Sequence, residues 1–139
     1  MKSPSYKERY SHDDFSLLGF HDCHVRGIHW SASDFSLSLT LDYIIQWVRA
    51  EDVFHFWVSP AELCFHDISD VKIELDWKGT LDCQMQDITK ANARKTPNGA
   101  VQHLWEIDFF SPDGQMELWA IGFQLTIKEP PKLVRSPRL

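Results

Sequence analysis

The 139-residue chain has no CxxC pair, no phosphate-binding glycine loop, no nucleophile elbow and no spaced metal motif. None of the short signatures that announce a chemistry is therefore present. Its three cysteines, Cys23, Cys64 and Cys83, are an odd number without a close pair, which does not fit a small disulfide scaffold and predicts reduced thiols. Apolar runs long enough to cross a bilayer are missing, and the polar opening MKSPSYKERYSHDD holds no signal core, so a cytoplasmic protein without membrane contact is expected. Basic charge is scarce through the middle. Residues 13–87 carry fourteen Asp and Glu against Arg26, Arg49, Lys72 and Lys78, a net of −10, while the flanks contribute +2 each, giving −6 overall. An acidic centre repels phosphate backbones and attracts basic proteins, which excludes nucleic acid as the expected partner. Helical periodicity is almost absent.

What the chain does have is alternation. In FSLSLTLDY, Phe35, Leu37, Leu39, Leu41 and Tyr43 share one face of an extended strand, and Ser36, Ser38, Thr40 and Asp42 share the other. The same period returns in Val71, Ile73, Leu75 and Trp77, in Val101 to Phe110, and in Trp119, Ile121, Phe123, Leu125 and Ile127. A first strand is expected over residues 20–30, joined to the second by a hairpin through Ser31 to Asp34. VFHFWV, apolar on both faces, reads as a central strand, and Pro60 predicts a turn. Residues 13–18 suit a turn or short helix capped by Ser11 or Asp13. The polar stretch from Lys90 to Ala100, with Pro97, Asn98 and Gly99, reads as a mobile loop, and Ser111 to Gly114 as a second hairpin turn. The expected fold is all-β: a single-domain antiparallel sandwich or partly closed barrel of about 7–8 strands with little helix. Residues 1–11 read as a flexible leader, 12–127 as the β domain, and 128–139 as a Pro-rich basic tail without regular structure.

Candidate chemistry is sparse. If the strands bearing them were neighbours, His21, Cys23, Cys64 and His66 would supply the four ligands of tetrahedral zinc; otherwise they are satisfied core residues. Cys23 and Cys64 each lie close to histidine, as a thiol nucleophile requires, but burial in the core accounts for them equally. Glu74 with Asp76, and Glu106 with Asp108, are i, i+2 neighbours on polar faces, where solvation and protection of a sheet edge are the ordinary roles. Of the six tryptophans, Trp77, Trp105 and Trp119 fall in register with core faces, leaving Trp47 and Trp57 as candidates for an exposed site.

The segment FHDCHVRGIHW, with the alternating strand after it and FHFWVSPAELCFHDISDVKIELDW, resembles small uncharacterised bacterial proteins that place a short His-Asp motif before a first strand. Similar openings occur among immunity proteins of polymorphic-toxin systems. The resemblance covers residues 20–77 and implies a single all-β cytoplasmic domain that binds a protein and performs no reaction. It assigns no functional residue. With the acidic centre and surplus aromatics, it leads to the expectation of a non-enzymatic, cofactor-free module that covers a basic protein through Trp47, Glu51, Asp52, His55, Trp57 and Glu62. The alternatives are a carbohydrate or small-ligand sandwich with Trp57, His55 and a carboxylate in a groove, and a zinc or thiol enzyme. A homodimer is compatible with the pattern and not required by it.

Overall fold

The computed structural model describes residues 2–139. Ten strands form one antiparallel sheet: β1 (Arg9–Ser11), β2 (His24–Ser31), β3 (Ser36–Ala50), β4 (Val53–His66), β5 (Ser69–Asp76), β6 (Gln84–Lys95), β7 (Val101–Ser111), β8 (Asp113–Ala120), β9 (Gly122–Ile127) and β10 (Lys132–Val134). Their order is β1-β9-β4-β3-β2-β6-β7-β8-β5, with β10 on β4, and the sheet does not close. The all-β antiparallel expectation holds. The strand number does not, because eight longer strands are joined by three-residue strands at both ends. These two pair with β9 and β4, so regular structure reaches into the segments expected to be leader and tail. Between β1 and β2 lies a 3-10 helix, His12–Leu17, whose cap is Ser11: its hydroxyl accepts from the Asp13 amide, and the Asp14 carboxylate accepts from the Ser11 amide.

The sheet curls at the weak seam between β2 and β6, where His24 opposite Gln84 is the sole paired register. Backbone bonds from Val25 to the Cys83 carbonyl and from Met85 to the Cys23 carbonyl complete the seam. On one side lie β1, β9, β4, β3 and β2; on the other β6, β7, β8 and β5. Their inner faces meet across a core in which Trp105 of β7 reaches Phe65 of β4 and Phe123 of β9 at ring separations of 5.8 and 5.3 Å, although these strands are not neighbours. Phe15 of the 3-10 helix closes this cluster edge-on, 5.3 Å from Trp105. The two edge-to-face pairs, Trp105 with Phe123 and with Phe15, each contribute roughly 0.5–1.5 kcal/mol beyond the area they bury.

Three local expectations are overturned. Pro60 does not end a strand: β4 runs through it, opposite Asp42 of β3. The Pro60 carbonyl accepts from the Lys128 amide at 2.9 Å, and the proline sits between the Val58–Lys132 and Ala61–Ile127 registers, where β4 passes from β10 to β9, so its missing N–H costs at most the one return bond to Lys128. Second, the apolar series from Trp119 to Ile127 is two strands. Met116, Leu118 and Ala120 point inward on β8, then the phase shifts and Phe123, Leu125 and Ile127 point inward on β9. Gly122 makes the transfer possible, since the His12 ring occupies the space a Cβ would need. Third, the loop expected over 90–100 shrinks to Thr96–Ala100, tied by bonds from the Thr96 amide to the Ala100 carbonyl and from the Gly99 amide to the Thr96 carbonyl.

Candidate functional site

The outer face of β6, β7, β8 and β5 is built by simple alternation. Ile88, Ile107, Met116 and Ile73 point to the inner side, the first three buried and Ile73 partly exposed at the edge, so their neighbours Asp87, Glu106, Asp108, Glu117, Lys72 and Glu74 point outward. Register then sets like charge against like charge. Asp87 lies opposite Asp108, Glu106 opposite Glu117, and Asp76 opposite Asp113. Directly opposed residues of one face have Cβ atoms roughly 4.5–5.5 Å apart, and like charges so placed are destabilising. Nearby cations are few: Lys72 meets Glu74 at 3.3 Å and Lys78 meets Asp76 at 3.6 Å. Lys72 also lies directly opposite Glu117, and among the described residues no cation stands opposite or forms an ion pair with Asp87, Glu106, Asp108 or Asp113.

Aromatic residues border this acidic field. At one end Phe110 is exposed beside Asp108 and shares a shallow hollow with Trp77. From Phe110 a row continues through His21, at 5.3 Å, to Trp47, at 6.1 Å, and on to Phe54, at 5.8 Å. At the other end Trp119 carries the Arg94 guanidinium 4.1 Å above its ring. Arg94 is held in turn by Asp70, Ser69 and Gln102.

The sequence-predicted binding set is not one surface. Trp47 lies opposite Phe56 and Trp57 opposite Gln46, so the two indoles leave β3 and β4 on opposite faces. Trp47 is 41% exposed, whereas Trp57, paired with Leu133 of the neighbouring β10, is 9% exposed; an indole so buried offers no platform for a sugar. His55 is half-buried on the Trp57 side, and Glu51 and Asp52 form the exposed β3–β4 turn. Glu62 is half-buried opposite Thr40, six residues along β4 from Phe56 and thus about 20 Å from the Trp47 level.

The proposed zinc ligands also stay apart. β3 lies between β2 and β4, so Cys64 and His66 are not beside the His21 and Cys23 segment. His21 instead bonds the Gln86 carbonyl, at 3.0 Å, and His66 meets Asp67 at 3.1 Å. No three His, Cys, Asp or Glu side chains among the described residues are placed to share a metal ion. All three cysteines are free. Burial pushes the Cys23 thiol up to about 12 and the Cys83 thiol to about 11, so neither is an activated nucleophile. His12 and His66 gather at one end of the core with rings 6.1 Å apart. His103 is shifted below the ordinary histidine value by burial, with smaller contributions from Lys90 and His12.

Charge is treated differently inside the first half of the sheet. Asp42, 1% exposed, receives Arg26 Nε at 2.8 Å and Nη2 at 3.0 Å, and the Leu139 amide at 3.1 Å. This fully satisfied carboxylate is structural. No helix among the described residues is long and apolar enough to cross a membrane. No protein-family profile, curated protein or solved structure matches the chain.

Proposed function

We propose that the protein is a non-enzymatic binding module whose acidic outer face, on β6, β7, β8 and β5, takes up a basic protein. The observation that carries this reading is the opposition of Asp87 to Asp108 and of Glu106 to Glu117, with Lys72 beyond Glu117 as the one cation in register with either pair. Each pair costs stability in the free protein. Lysine or arginine side chains laid between the pairs would relieve that repulsion, and Phe110 and Trp47 offer ring faces to the same cations. The long-range field of a face with four unpaired carboxylates, Asp87, Glu106, Asp108 and Asp113, steers such a partner and raises its association rate. Occlusion of a basic protein in this way is what an immunity-like role requires.

The test is affinity capture from native lysate with the wild-type protein as bait and a Glu106→Lys, Asp108→Lys, Glu117→Lys variant as control. The expected result is a basic protein retained by the wild type, lost in the variant, and associating more slowly as salt rises. A partner retained equally by both baits, or an association rate indifferent to salt, would remove the acidic face from the interface.

A further inference from the structure

We propose that a second copy of this chain pairs along the free edge of β5, extending the sheet through a two-fold axis at Ile73. β5 is the terminal strand of the sheet, and among the described residues its one strand partner is β8. An eight-residue strand end-to-end with solvent is an unfilled template. The opposite edge of the sheet is the three-residue β1, too short to act as one.

The side chains say what fits there. Val71 and Ile73, on the inner face of β5, are 40% and 41% exposed, and across a groove of about 420 Å³ stand Trp30 and Phe35, 65% and 64% exposed. Ile68 and Leu37 floor the groove. So much exposed apolar surface beside an unpaired edge marks an interaction site. The outer side of the same strand selects the partner. Antiparallel pairing of β5 with itself about Ile73 sets Lys72 against Glu74 of the other copy, twice, and Val71 against Leu75, twice. Side-chain alternation places both charged pairs on the outer face and the apolar contacts over the groove. A register shifted by two residues would oppose Lys72 to Lys72 or Glu74 to Glu74, so charge fixes the alignment. The acidic face elsewhere repels a second acidic molecule, but Lys72 and Lys78 balance Glu74 and Asp76, making this edge the part of the face that tolerates a copy of itself. The inference stands apart from the choice of a basic partner: either holds without the other.

Sedimentation equilibrium over about 1–200 μM, on the full chain, tests it through a charge swap. Wild type is expected to approach twice 16.2 kDa, with Lys72→Glu and Glu74→Lys each weakening self-association at least tenfold and the Lys72→Glu, Glu74→Lys double variant restoring it. Matching circular dichroism spectra and thermal midpoints separate loss of pairing from loss of fold, and the restored double variant does so independently. A wild-type chain monomeric throughout the range overturns the proposal and assigns the groove to a different occupant. Dimers insensitive to the single reversals overturn it too, since they would assemble elsewhere.

Discussion

Single residues divide into carboxylates that are satisfied and carboxylates that are not. Asp42 shows the first kind: removed from water, it holds a two-point bond to Arg26 and a backbone donor. Asp108 and Glu106 show the second, each facing another carboxylate across a β ladder at the surface. Truncating Asp42 takes away the acceptor of Arg26 and of the Leu139 amide, whereas neutralising a residue of the second kind removes repulsion. Asp108→Asn and Glu106→Gln are therefore expected to stabilise the fold by roughly 0.2–1 kcal/mol each. Urea denaturation with an unchanged m-value would register the gain as a higher midpoint. A lower midpoint for both would show that these carboxylates hold partners in solution and that the face is not strained.

At the scale of elements, the β3–β4 hairpin shows how turn geometry and sequence can disagree. Ala50 pairs with Val53, so Glu51 and Asp52 alone make the turn, at φ of 52° and 62°. Two consecutive positive φ values define the type I′ turn, for which Asn-Gly is the preferred dipeptide and glutamate a poor choice. Glu51→Asn with Asp52→Gly is expected to stabilise the protein by on the order of 1 kcal/mol. The Arg49 contact to Asp52 that it removes is exposed and worth little by comparison. A thermal midpoint no higher than wild type would contradict this. The same hairpin marks how far the sequence could be read. Alternation was legible wherever one face is core and the other solvent, as in β3 from Ser36 to Tyr43 and in β7, and in β5 it was legible although Val71 and Ile73 stay exposed. It failed where both faces are covered, as at Phe56 to Ser59, and where bulges interrupt β6. Pro60 misled because its tolerance depends on where β4 passes from β10 to β9, and Gly122 because its role depends on His12, over a hundred residues earlier. The acidic face had half a signature. Glu74 with Asp76 and Glu106 with Asp108 were visible as outward neighbours within a strand, but their opposition to Asp87, Asp113 and Glu117 is a property of register. A hairpin turn at Ser111 and Pro112 would have disclosed the Glu106–Glu117 pair; the Asp87–Asp108 pair needed the β6–β7 bulges, which no local pattern shows.

For the whole molecule, the net charge of −6 is concentrated by the curl of the sheet. One half turns its inner face toward the core and its outer face becomes the acidic field, so the repulsion is a property of the assembled tertiary structure and disappears on unfolding, when the carboxylates separate. Salt should then act in a defined direction. The exposed attractive pairs, among them Lys7 with Asp14, Arg49 with Asp52, Lys72 with Glu74, Lys78 with Asp76 and Arg138 with Asp82, each contribute little and weaken with screening. Four carboxylates without a cation repel over distances comparable to the Debye length, which shortens from roughly 30 Å at 0.01 M to about 8 Å at 0.15 M ionic strength. The net charge of −6 puts self-repulsion ahead of these pairs, and the thermal midpoint is expected to rise as sodium chloride increases through that range. Comparing wild type with Glu106→Gln, Asp108→Asn isolates the cause, because the acidic face predicts a shallower salt response in the double variant. Equal slopes in the two proteins would place the salt effect outside the acidic face and leave its carboxylates without a measurable cost, which is the quantity on which a basic partner would act.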